Sequence, residues 1–173
     1  MVREYTPVRR VVTGNDSQGR SCVLYDSDVP NVHPRPNSPG TYFFEVWTFD
    51  GAPADISGNT DGSPAGQPLN HSPPDNGAHW RIVHSSGAPK QLDAEKARES
   101  HLLMNRTGSS QLKEGGRHWN MHRTPTVDYG FCLKGQRHLV LEENDVLING
   151  GDIVVQLGNW HSWDNRSNVD VDM

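Results

Sequence analysis

Apolar residues in this chain come in short bursts separated by turn-forming residues. VRRVVT at 8–13 and RSCVLYD at 20–26 flank the turn GNDSQG, a pattern that predicts a hairpin with a long loop. TYFFEVWTF at 41–49 is aromatic and β-branched and is bounded by Gly40 and Asp50-Gly51; it is the strongest strand signal of the first half. HWRIVH at 79–84 predicts another strand. The proline-rich stretch 28–40 must be extended or looped. Residues 50–77 are rich in Gly, Pro, Ser, Asn and Asp and read as a long surface loop, a candidate lid. Residues 88–103 hold most of the good helix formers and predict one short helix. Then VDYGFCLKG, RHLVLE, DVLING and DIVVQLG follow as short strands with turns between them. Regular short strands of this kind predict an all-β antiparallel sandwich or barrel. The chain shows no internal repeat and no heptads.

Composition narrows this picture. A length of 173 residues suits one domain over 1–173, with N-terminal strands and the long loop in 1–95. Only 33% of residues are hydrophobic, while Gly and Pro number 17 and 12, which favours loop-rich β structure over a helical bundle. The net charge of −5 and the absence of a basic face argue against a nucleic-acid partner. No apolar run is long enough for a membrane helix, and the N-terminal residues carry no apolar signal region. Cys22 and Cys132 lie too far apart in sequence for a C-x-x-C pair, and two reduced thiols in a cytoplasmic protein are expected. Nine histidines are many for this length; about two-thirds of them, His118 and His138 included, are expected at the surface.

Two segments carry the candidate chemistry. The first runs Gly116, five residues, His122, one residue, Thr124, three residues, Asp128, six residues, Gly135. The second runs Gly150, five residues, Gln156, one residue, Gly158, two residues, His161, three residues, Asn165. In a straight strand His122 and Asp128 would lie roughly 20 Å apart, at about 3.3 Å per residue. They can serve one site only if the chain reverses between them, and Thr124-Pro125-Thr126 is a suitable place because proline cannot continue a central strand. Gly158, just before Trp160-His161, would let the backbone bend and aim the His161 ring inward.

In order and spacing this pair of segments, 116–165, resembles the two motifs of the cupin family. The resemblance implies an antiparallel jelly-roll β-barrel with a ligand cavity. It implies one divalent metal ion (Fe, Zn, Mn or Ni) held by His122, Asp128 and His161, which would also be the catalytic residues. Thr124, Gln156 and Asn165 would support them, and Trp160 or Trp163 would line the cavity. Three positions depart from the family pattern: Thr124 replaces a histidine, Asp128 a glutamate and Gln156 a proline. A hydroxyl is a poor ligand beside imidazole, so a metal-free cavity stands as the alternative.

Family membership does not fix one reaction. Two histidines and one carboxylate with open positions suit a non-haem metal enzyme. The segments HRTPTVDYG and GDIVVQLGNWHSW are most similar to single-domain cupins of microbial secondary metabolism and aromatic-compound pathways. The expectation is therefore a metal-dependent enzyme acting on a small aromatic or polyketide-like substrate, carboxylic in some cases, by oxygenation, decarboxylation or isomerisation. The competing expectation is a non-catalytic module that binds a sugar or another small molecule. A homodimer is expected, with strands 8–25 outside the barrel or across the interface. The terminal VDVDM, with alternating acids, predicts an edge strand at most.

Overall fold

The computed structural model describes residues 5–87 and 94–173. These residues form thirteen strands and one helix. The strand-rich character expected from the sequence is therefore present, with strands grouped by hydrogen bonds into five sheets. The chain divides into two compact units that alternate along the sequence.

The first unit comprises Met1–His33, Phe43–Pro68 and Pro73–Ile82. β1 (Arg9–Asn15) and β2 (Ser21–Asp28) form the expected hairpin, with a bulge between Val12 and Thr13. β3 (Asn31–Pro34), β4 (Thr41–Phe49) and β5 (Ala78–Ser85) are successive neighbours in one sheet. β3 falls in the proline-rich stretch, where the sequence left extended chain and loop open. β4 is buried at six successive positions, Thr41–Val46, and so is covered on both faces. The segment between β4 and β5 contains no strand or helix, as its composition predicts. It is fastened by Asp61, whose carboxylate takes both terminal nitrogens of buried Arg10 at 2.8 and 2.6 Å, the fork matching the two oxygens.

The second unit comprises Pro34–Tyr42, Leu69–Ser72 and Val83–Met173. α1 (Ala94–Met104) is the predicted helix, and the start of the predicted span, 88–93, lies outside the described residues. β6 (Gln111–Leu112) pairs with β7 (His122–Arg123), and β8 (Val127–Phe131) pairs later with β11 (Ile153–Leu157). β9 (Gln136–Val140) lies between β10 (Asp145–Asn149) and β12 (Ser162–Asp164). β13 (Val171–Asp172) pairs with the end of β5. It ends that sheet, as the alternating acids suggest, but its far side is covered: Leu133 and Lys134 donate to the Asp172 carbonyl at 2.8 and 3.2 Å. Val171 is fully buried and joins Cys132, Leu139 and Ile148 in a small core. Cys22 and Cys132 are both free thiols.

Candidate functional site

The reversal that the spacing requires occurs where proline puts it. β7 ends at Arg123, the chain bends at Pro125 and Thr126, and β8 begins at Val127. Gly158 makes the matching bend, with a φ of 65°, and a β-carbon there would lie 3.2 Å from the Thr124 carbonyl oxygen. These bends leave His122 and His161 facing each other as an isolated antiparallel bridge. Each donates its amide to the other's carbonyl, at 2.8 and 3.0 Å. Residues paired this way project their side chains to the same face. Their rings stand 4.6 Å apart, centre to centre, at 52°.

Both rings are held by the same device. The Nδ1 of His122 donates to the Asn120 carbonyl at 2.7 Å, and the Nδ1 of His161 donates to the Asn159 carbonyl at 3.0 Å. A carbonyl can only accept, so the proton of each neutral ring sits on Nδ1 and Nε2 keeps its lone pair. Burial holds both rings neutral. It drives the His122 pKa down to about 3, with the charge of a protonated His161, of His101 and of Arg35 pushing the same way against the Asn120 carbonyl. His161 is lowered by burial too, against the opposing pull of the Asn159 carbonyl and the Asp128 carboxylate.

Two further histidines complete a cluster. His71 stands edge-on to His122 at 4.8 Å, and His101 lies 5.7 Å from His71 and 6.2 Å from His122. Burial lowers the His101 pKa as well. His71 comes from the long irregular segment, where its amide bonds the Met104 carbonyl at the end of α1 (2.8 Å). The motif spacing missed both. For His101 a signal existed: Ala97, Ser100, His101 and Met104 are the buried face of α1, at helical spacing. For His71 the sequence offers none. Four of the nine histidines, His84, His101, His122 and His161, are buried and the other five are half-buried, so they are less exposed than the sequence led us to expect. Some meet local partners; His118, for example, sets Nδ1 2.7 Å from the Ser162 hydroxyl.

The other residues of the two segments take different places. Asp128 is half-buried and reaches His161 through its charge. Gln156, its register partner on β11, is buried, and its Nε2 has no hydrogen-bond partner among the described residues. Thr124 is buried with its hydroxyl 2.6 Å from that of Thr126. Asn165 ties down the turn before β13, accepting from the Ser167 amide and hydroxyl at 3.0 and 2.7 Å. Trp163 meets the His161 ring at 6.4 Å, while Trp160 lies under Lys113 and Arg123. Among the described residues no group of three or more His, Cys, Asp or Glu side chains is arranged to hold a metal ion.

No family model matches the chain. Two curated proteins of Diaporthe leptostromiformis are similar to part of it. Phomopsin biosynthesis cluster protein C' is 44% identical over 50 residues, and phomopsin biosynthesis cluster protein D is 45% identical over the same length. Each match covers 28% of this chain and 26% of the relative, so the chain spans about a quarter of the length of these relatives. No helix among the described residues is long and apolar enough to cross a membrane.

Proposed function

We propose that this chain is a small-molecule enzyme of a secondary-metabolic pathway, built on a cupin-like jelly-roll barrel and working through His122 and His161. One observation carries the reading: two neutral imidazoles 4.6 Å apart, each with Nδ1 fixed by a backbone carbonyl and Nε2 left with a lone pair. A carbonyl on the outer nitrogen is the usual support of a metal-binding histidine, since it fixes the tautomer and orients the ring. These two Nε2 donors would hold a divalent ion such as Fe, Zn, Mn or Ni, with Asp128 drawn in as the third ligand. The ion would supply Lewis-acid polarisation of a substrate oxygen. The substrate class we propose is a small aromatic or polyketide-like molecule; the phomopsin cluster relatives support the setting in secondary metabolism. The two free thiols suit the reducing cytoplasm.

The test is metal content and unfolding midpoint on the wild type and His161→Ala. The expected result is stoichiometric metal in the wild type, lost in the variant while the circular dichroism spectrum is kept. A wild type that takes up none of the four ions in titration would overturn the metal role. That no three-residue metal group is arranged among the described residues favours the second reading, a cavity that binds a ligand without an ion or catalysis. In that case His161→Ala costs only the local hydrogen bonding, about 1–3 kcal/mol.

We also propose a homodimer, through the outer face of β8 and β11. Strand alternation sends Val127, Tyr129, Phe131, Ile153, Val155 and Leu157 to this face, each between 55% and 74% exposed. In register Tyr129 lies opposite Val155, with Phe131–Ile153 and Val127–Leu157 on either side. At roughly 150–250 Å² for a fully exposed large side chain, they present about 600–950 Å². That exceeds the patch usual on a monomer, and two such faces approach the area of a stable interface. A second copy supplies a matching uncharged surface. Replacing Tyr129 and Val155 together by Lys sets like charges directly opposite each other. Sedimentation should show a wild-type dimer and a monomeric variant; a monomeric wild type at micromolar concentration rejects the interface.

A further inference from the structure

Arg137 is an arginine on the wrong face of its strand. On β9 the inward positions are Arg137 and Leu139, and Trp163 is the register partner of Leu139, so all three share one face. Arg137 is only 6% exposed. A buried guanidinium ordinarily needs a carboxylate or several acceptors, because losing its hydration is costly. Arg137 has neither: it makes no hydrogen bond or ion pair among the described residues, and its Nε is sealed from solvent without an acceptor. Its support is the Trp163 ring, 5.3 Å from the guanidinium carbon. Burial lowers its pKa to about 10, so it stays charged at neutral pH.

A second arginine faces the same space. Arg35 lies over the Trp119 ring at 5.2 Å and bonds only neutral acceptors, Asn120 Oδ1 at 2.7 Å and Ser100 Oγ at 3.3 Å. The like charges of Arg35 and Arg137 oppose each other; Asp164 favours the charge on Arg137 from a distance but makes no hydrogen bond or ion pair with it, and each guanidinium lies over a tryptophan ring. Both line a small, solvent-open cleft of about 60 Å³, with Ser38 and Thr41 beside them. Asp164 also lines the cleft, but Arg166 already holds it at 2.7 Å. The cleft thus offers two cations and two flat aromatic walls.

We propose that Arg137 and Arg35 are the carboxylate anchor of an aromatic or unsaturated carboxylic acid, whose planar body lies against Trp163 and Trp119. The guanidinium fork of Arg137 matches a planar carboxylate, with its donors unspent. Trp119 and Trp163 both line the cleft, which suits a flat organic anion over inorganic phosphate. The inference rests on the His122–His161 reading for where the ligand's other end points. Trp163 touches His161 at 6.4 Å, and Asn120 links the two groups by accepting from Arg35 with its side chain and from His122 with its backbone.

Calorimetric titration and tryptophan fluorescence with benzoate, its neutral isostere benzamide and inorganic phosphate test the anchor. Benzoate should bind the wild type and quench tryptophan, with benzamide at least about tenfold weaker. Arg137→Met should weaken benzoate roughly 10–100-fold, the loss expected when a hydrogen-bonded charge goes unmatched, and Arg137→Lys should fall between. Equal affinity for benzoate and benzamide, no binding of either, or displacement of benzoate by equimolar phosphate would each overturn the proposal. If Arg137→Met fails to fold, the wild-type comparison of the isosteres still decides. Chelator-treated protein should keep its benzoate affinity even if the metal reading fails. Loss of benzoate binding on chelation would show that the carboxylate goes to an ion rather than to Arg137.

Discussion

Protein stripped of divalent ions with a chelator should be less stable at pH 5 than at pH 7.5, by about 2 kcal/mol from His122 alone. Above the ordinary imidazole pKa of 6.5 the ring is neutral folded or unfolded, and it contributes no pH dependence. Below 6.5 the unfolded chain takes up a proton that the folded one refuses until about pH 3. The unfolded state then binds more protons, so stability falls as pH falls across that window. His101 and His161 are displaced in the same direction by their own burial and steepen the loss. Within the cluster Arg35, His101 and His161 all disfavour a charged His122, and Asp128, which favours a charged His161, only moderates the effect. Carboxylates with lowered pKa values, such as Asp61 and Asp145, act only below their ordinary value of 3.8, so the range from pH 6.5 to 5 reports histidines. Urea midpoints at the two pH values measure the difference; equal midpoints would sink the buried-neutral reading of the cluster.

Gly135→Ala is expected to destabilise the fold by about 2–5 kcal/mol. Gly135 closes the first motif and has a φ of 76°, where a side chain is strained. A β-carbon there would also lie 2.3 Å from the Asp170 carbonyl oxygen and 3.1 Å from the Val171 α-carbon. Relief requires moving β13, which unseats Val171 from the core it shares with Cys132, Leu139 and Ile148. The Gly135 carbonyl also accepts the amide of Gly150, the first residue of the second motif, at 2.9 Å. Gly151→Ala is the control: its φ is 96°, but nothing lies within 4 Å of its β-carbon, so it should show backbone strain alone. Equal urea midpoints for the two variants would mean that the approach of β13 is not what Gly135 serves.

The strands were legible wherever side-chain type and turn residues agreed. TYFFEVWTF forms β4 with the same bounds because β-branched and aromatic residues fill a pleated, buried surface and Gly40 and Asp50-Gly51 punctuate it. The short strands β6, β7 and β12 carry no such pattern, being two or three residues long and held by partners distant in sequence. The Pro125 reversal and the Gly158 bend were readable because proline and glycine act on their own backbone.

Sequence alone therefore determined what is local: the strand-rich character, the one helix, the bends, and the candidacy of His122 and His161. Tertiary structure decided the company those residues keep. His71 reaches His122 from a loop about fifty residues away, and His101 arrives on a helix face. Arg137 carried a faint signal, since alternation in RHLVLE puts it on the face of Leu139 and Leu141, but only the folded chain shows that among the described residues no acid bonds it there. The physical reason is that backbone preference and strand alternation act within a few residues. Desolvation and charge pairing depend instead on groups that folding brings from far along the chain.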